Sequence, residues 1–221
     1  KAQHPDYEVY MQGTHGKRGV SCADCHMPYK SEGSVKFTDH HIQSPLNNMA
    51  NACMVCHRQS EETLRQDVYA RQQRNQERKY AVEDQLVRAH LEAAQAWKDS
   101  ATEAEMEPAL KKIRHAQWRW DWVAAGNSLG FHAPEIAQQT LGEAMQLAQE
   151  ARVEITRIRA RHGKTDTVAL PDISTKAKAQ AFIGLNMDSL NLVKVKQGEM
   201  FKAWDSAARL REAAMAAKKG K

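Results

Sequence analysis

Aromatic side chains are scarce in this 221-residue chain, at 6 % of the sequence, and Gly (11) and Pro (6) are few. A β-sandwich or barrel needs many short strands broken by Gly- and Pro-rich turns, so that architecture is excluded. No apolar run approaches the ~18–20 residues of a membrane-spanning helix, and no membrane span is expected. An apolar export signal is missing too, since the chain opens Lys1-Ala2-Gln3-His4-Pro5. That opening fits either a processed signal or a start in the middle of a longer protein. Cysteine is limited to four residues. No βαβ pattern accompanies them, which argues against a thioredoxin-like redox site.

What the chain has in quantity is Ala, Gln, Glu, Lys and Arg, the residues that lose least on entering a helix. Its four cysteines fall in two runs, Cys22-Ala23-Asp24-Cys25-His26 and Cys53-Met54-Val55-Cys56-His57. The spacing C-x-x-C-H is the attachment pattern of a c-type haem. Thiols three residues apart share one side of a turn and reach the two vinyl groups of one porphyrin. The His that follows lies beneath the ring and ligates iron. Two C-x-x-C pairs also describe a zinc ribbon, but four thiolates already fill a tetrahedral site and leave no use for a His after each pair. Two covalent haems, and electrons moving one at a time, are the stronger reading. The propionates of two haems offset most of the formal net charge of +5, so no nucleic-acid partner is expected.

Residues 1–57 are loop-rich, with Gly13, Gly16, Gly19, Pro28, Gly33 and Pro45 interrupting any long period. This segment holds both motifs and has little apolar material of its own, so its core is expected to be porphyrin. Residues 58–221 read as long helices, giving a mainly α fold of long antiparallel helices after a haem-binding segment. A helix over 58–100 carries the stripe Leu64, Val68, Val82, Leu86, Leu91 and Ala94. After a break near Thr102 to Pro108, a second runs through Ile113, Trp118 and Trp122 to Gly126. Pro134 stands where an N1 proline starts a third helix, with the stripe Ile136, Leu141, Ala144, Leu147, Ala148, Ala151, Ile155 and Ile158. A last helical region covers about 174–216. Helices this long either form a hairpin within one chain or contribute to a dimer interface.

A six-coordinate haem needs a second axial ligand besides His26 or His57. His15 lies between Gly13 and Gly16, which let backbone approach a flat ring closely. His132 immediately precedes the third helix, fixed by a rigid element yet off its face. Asp39-His40-His41 offers further candidates, with Asp39 placed to orient an imidazole. His90, His115 and His162 lie in helical segments and read as packing or surface residues. Composition and spacing leave more candidates than the two motifs need.

Lys1-Ala2-Gln3-His4-Pro5, both haem motifs, Thr38-Asp39-His40, Val82-Glu83-Asp84-Gln85-Leu86, Arg114-His115-Ala116-Gln117-Trp118-Arg119-Trp120-Asp121, His132-Ala133-Pro134, Pro171-Asp172-Ile173-Ser174-Thr175-Lys176 and Ile183-Gly184-Leu185-Asn186-Met187 stand in this order. The resemblance they carry is to the C-terminal half of the ammonia-forming, multihaem cytochrome c nitrite reductases. It implies a periplasmic, homodimeric pentahaem enzyme reducing nitrite to ammonium with six electrons from a multihaem donor cytochrome. By the same resemblance, His26 and His132 are the axial pair of one haem, and His57 and His15 that of another. His40 matches a ligand of a haem attached outside this chain, Lys1 and Gln3 match calcium ligands, and His4 matches the active-site histidine. The catalytic haem of such enzymes is attached by C-x-x-C-K, which this sequence lacks. The chain alone is therefore expected to be inactive, its missing half carrying the other haems. A free-standing dihaem electron-transfer cytochrome is the alternative.

Overall fold

The computed structural model describes residues 5–219, and the fold is mainly α. It divides into two compact units, Lys1–Val168 and Ala169–Lys221. The first unit begins with three short helices, α1 (Asp6–Gln12), α2 (Thr14–Lys17) and α3 (Cys22–His26). An antiparallel hairpin follows, β1 (Tyr29–Glu32) paired with β2 (Val35–Thr38), in the register Tyr29 to Thr38. Gly33, at φ +60°, makes its two-residue turn. A single 3₁₀ turn at Pro45–Asn47 leads towards the second haem motif.

Three long helices complete this unit: α4 (Glu61–Lys98), α5 (Glu103–Ala124) and α6 (Pro134–Arg161), each packed on the other two. Side-chain caps fix where two of them start. Ser60 Oγ accepts the Thr63 N–H at 3.2 Å. Thr102 and Glu105 form a reciprocal capping box, with the Thr102 N–H donating to Glu105 at 2.8 Å. Because the box starts α5 at Glu103, Pro108 falls inside the helix rather than marking the expected break. The proline gives up one backbone hydrogen bond near the helix start without ending the helix. α6 begins at Pro134 as expected.

The buried stripes differ from the largest side chains in the sequence. On α4 the buried set from Val82 onward is Val82, Leu86, Ala89, Ala93 and Ala96, while Leu91 is half-buried and Ala94 exposed. On α5 it is Met106, Ala109, Ile113, Ala116 and Val123, and Trp118 is exposed. α6 contributes Ala137, Leu141, Ala144, Ala148, Ala151, Ile155 and Ile158. Alanine at the crossings lets the backbones approach closely, and that choice overrides side-chain hydrophobicity. One buried ion pair closes the far end of the bundle. Arg159 Nε donates to Asp99 Oδ2 at 2.6 Å, and its Nη1 donates to the Asp166 carbonyl at 2.7 Å.

In the second unit the expected single helical region is two helices, α7 (Lys176–Phe182) and α8 (Met187–Lys219). Gly184, at φ +71°, ends the first turn of the break, and Asn186 Oδ1 accepts the Ser189 N–H at 3.0 Å to start the second helix. No helix among the described residues is long and apolar enough to cross a membrane.

Candidate haem sites

Each C-x-x-C-H run is wound into a single helical turn. In the first, Ser21 caps α3: its Oγ accepts the Asp24 N–H at 3.2 Å, and Asp24 accepts the Ser21 N–H at 2.7 Å. In the second, the His57 N–H donates to the Cys53 carbonyl at 2.9 Å. Such a turn puts the two thiols of a motif on one side, where a single porphyrin can reach both. None of the four cysteines is in a disulfide. Burial pushes the Cys25 thiol pKa up, and the Cys53 thiol of the other motif adds to the effect. Burial raises Cys53 as well.

The fold brings one distant histidine to each motif histidine. The rings of His26 and His132 have centroids 6.4 Å apart with planes at 80°. Those of His15 and His57 are 6.0 Å apart at 78°. With metal–nitrogen bonds of about 2 Å and ring nitrogens ~1 Å from their centroids, two imidazoles on opposite faces of one iron have centroids about 6 Å apart. The spacing of both pairs fits. Burial lowers the pKa of His15 and of His132, favouring the neutral imidazole that a metal requires.

Neighbouring groups orient these rings. His26 Nδ1 lies 2.8 Å from the Gln43 carbonyl, which leaves Nε2 for a metal. His132 sits in a loop tied to α4 and α6 through Asn75, which is 3 % exposed. Asn75 Nδ2 donates to the Leu129 carbonyl at 3.2 Å, and its Oδ1 accepts Gln138 Nε2 at 2.8 Å. Gly130 (φ +78°) lies so close that an added Cβ would stand 2.4 Å from Asn75 Nδ2. α1 grips His132 from the other side. The Tyr10 ring meets its ring edge-on at 5.6 Å, and Tyr10 Oη donates to the Val20 carbonyl.

Several details differ from the sequence reading. His15 lies on the one-turn helix α2 rather than in a loop. Gly13 and Gly16 both stand against backbone: Gly13 faces the His132 carbonyl, and Gly16 faces Tyr10 and Met11. Asp39 orients no imidazole. It pairs with Lys30 and accepts the His41 backbone N–H at 3.0 Å, which together lower its pKa. The exposed His40 instead has Nδ1 2.9 Å from the Thr38 carbonyl, the same arrangement as at His26. His90 and His115 are exposed. His162 caps α6 and lies 3.1 Å from Glu105. Lys1, Gln3 and His4 lie outside the described residues. Asp6, Tyr10 and Asn75, which seat His132, were not singled out from the sequence. The recurrence Asp6, Tyr10, Gly13 at helical spacing was the available signal.

Among the described residues no group of three or more His, Cys, Asp or Glu is arranged to hold a metal ion. Two thiol pairs, each with a histidine pair whose rings lie about 6 Å apart, are the features of a c-type cytochrome. The cytochrome c552 family profile matches residues 1–213, and the chain belongs to that family. It is 56 % identical over 196 residues to cytochrome c-552 of Porphyromonas gingivalis, covering 89 % of this chain and 39 % of that protein. To cytochrome c-552 of Maridesulfovibrio salexigens it is 48 % identical over 211 residues, 95 % of this chain and 42 % of the other. Among solved structures, cytochrome c nitrite reductase from Desulfovibrio desulfuricans, a catalytic subunit described with two calcium sites, aligns with TM-score 0.58 and 37 % identity. That alignment covers 71 % of this chain and 34 % of the other. The chain thus spans about two-fifths of the length of the curated relatives it matches.

Proposed function

We propose that this chain holds two bis-histidine c-type haems that relay electrons inside an ammonia-forming, nitrite-reducing periplasmic cytochrome. The observation that carries the reading is the pairing of His26 with His132 and of His57 with His15 at 6.4 and 6.0 Å. Bound haem supplies one-electron iron chemistry. The chain's own groups do the rest. Cys22 and Cys25, and Cys53 and Cys56, anchor each ring covalently. The paired imidazoles would hold the iron of each haem between them, leaving a substrate no room to bind at either site. Two nitrogen ligands also favour a lower potential than a methionine would, which suits onward transfer.

Reduction of nitrite would then occur at a haem attached outside these 221 residues, since no C-x-x-C-K occurs in them. The exposed His40 supports this reading, because its Nδ1 is engaged as at His26 while Nε2 stays available for an iron. In the same proposal His4 serves that active site, Lys1 and Gln3 hold calcium, the protein is a homodimer, and a multihaem cytochrome donates the electrons.

The test is to purify the 221-residue chain from a host competent in cytochrome c maturation. A mass increase of two haems and a fully low-spin spectrum are expected, with no steady nitrite turnover. His15→Ala and His132→Ala should each turn one haem high-spin. A single haem adduct, or low-spin spectra in both variants, would overturn the assignment.

A further inference from the structure

We propose that Asp6 is the positioning residue for His132, its carboxylate accepting the Nδ1 proton and lowering the reduction potential of the His26/His132 haem. This rests on the bis-histidine reading above. His132 Nδ1 is buried and has no hydrogen-bond partner. With Nε2 on iron, the ring carries its proton on Nδ1, and a buried N–H requires an acceptor. Asp6 Oδ1 stands 3.6 Å away. A charge-assisted bond is about 2.8 Å long, so a side-chain adjustment of under ~1 Å closes it.

Asn127 holds the carboxylate in place. The Asn127 N–H donates to Asp6 Oδ1 at 3.2 Å, and Asn127 Nδ2 donates to Oδ2 at 3.4 Å. Asp6 and Tyr10 are one helical turn apart on α1, so the helix that places Tyr10 against the His132 ring also places the carboxylate at its nitrogen. The two axial ligands of this haem then differ in kind. His26 has a neutral carbonyl as acceptor, and His132 has an anion. An anionic acceptor makes the imidazole a stronger donor, and the added negative charge favours the oxidised iron. Among the described residues, His132 is the one of these four ring ligands with a carboxylate inside 4 Å.

The experiment is potentiometric titration with optical and EPR detection on the haem-loaded protein, comparing wild type, Asp6→Asn, Asp6→Ala and Asn127→Ala. Asp6→Asn should keep both haems low-spin. At a fixed potential it should shift one haem's oxidised-to-reduced ratio about tenfold towards reduced, about 59 mV for one electron. The other haem should not move. Asp6→Ala should give the same shift with a high-spin fraction. Asn127→Ala, which keeps the charge, should give less than a third of it. Unmoved potentials in Asp6→Asn would overturn the proposal, and so would an equal shift in Asn127→Ala. A wild-type protein without low-spin haem would overturn the bis-histidine reading and this inference together. Low-spin wild type with an unmoved Asp6→Asn would overturn this inference alone.

Discussion

Gly13→Ala tests how tightly the two histidine pairs are coupled through backbone. Gly13 has φ −80° and ψ 169°, a conformation open to any residue, so the substitution brings no torsional strain. The obstacle is space. An added Cβ would lie 1.9 Å from the His132 carbonyl oxygen, 3.0 Å from its carbon and 3.3 Å from the Tyr10 carbonyl oxygen. Reaching an ordinary contact of 3.4 Å means moving backbone from backbone by about 1.5 Å. Neither side yields easily. His132 is held by the Asn75–Gly130 packing and the start of α6, and the α1–α2 corner is locked by Gly16 against the Tyr10 backbone. That corner carries His15, so separation stretches one histidine pair or the other. A metal–nitrogen bond of about 2 Å does not survive a displacement comparable to its own length. At least one of the two haems should therefore become high-spin by EPR and resonance Raman, with an overpacking loss of about 1–3 kcal/mol in denaturant titration. Gly142→Ala is the control. Gly142 lies in α6 with nothing within 4 Å of an added Cβ, and its variant should keep the wild-type spectrum. Two fully low-spin haems with unchanged stability in Gly13→Ala would refute the argument.

Leu141 is fully buried where α6 meets α4 and α5, so Leu141→Ala should lose about 2–5 kcal/mol. The urea midpoint should fall while the slope stays unchanged, and a loss under 1 kcal/mol would show that the helices repack freely. The Thr102 N–H, helped by His162, lowers the Glu105 carboxyl from 4.5 to about 2. A carboxyl depressed in the folded state adds stability above its unfolded pKa and loses it as pH falls through the folded one. Wild type should therefore lose stability relative to Glu105→Gln as pH drops from about 4.5 towards about 2. Parallel stability curves for the two proteins across that window would contradict the assignment.

The parts of this molecule legible in its sequence are those whose cause is local. Both C-x-x-C-H turns, the proline start of α6 and most of its stripe follow from spacing and cap chemistry alone. The hairpin at Tyr29–Thr38 leaves little trace in the sequence because its strands are four residues long, although Gly33-Ser34 is a turn signal. On α4 and α5 the expected Val68, Val82, Leu86 and Ile113 are buried, and the other expected positions differ for another reason. Large apolar residues mark a core only when helices stand far enough apart to hold them. Here Ala89, Ala93, Ala96, Ala109 and Ala116 occupy the crossings, and Leu91 and Trp118 are left at the margin.

The candidate distal histidines show where local reasoning ends. Sequence context made His15 and His132 candidates, but it could not choose a partner for either, because a pairing is a tertiary fact. His132 reaches His26 only because α4, through Gln72 and Asn75, holds residues 128–130 beside the start of α6. The long helices therefore do more than bury alanine. They form the rigid side of a clamp whose other side is the short-helix segment carrying the thiols. The division of labour explains the composition noted at the outset. The loop-rich segment that carries the thiols has little apolar material of its own, and it leans on the preformed bundle beside it and on the porphyrin it would hold. Loss of haem should then loosen residues 5–57 while α4–α6, whose buried clusters consist only of side chains, remain folded. Hydrogen exchange on the haem-free chain reads this directly. Equal loss of protection in both segments would show that the bundle, too, depends on the haems.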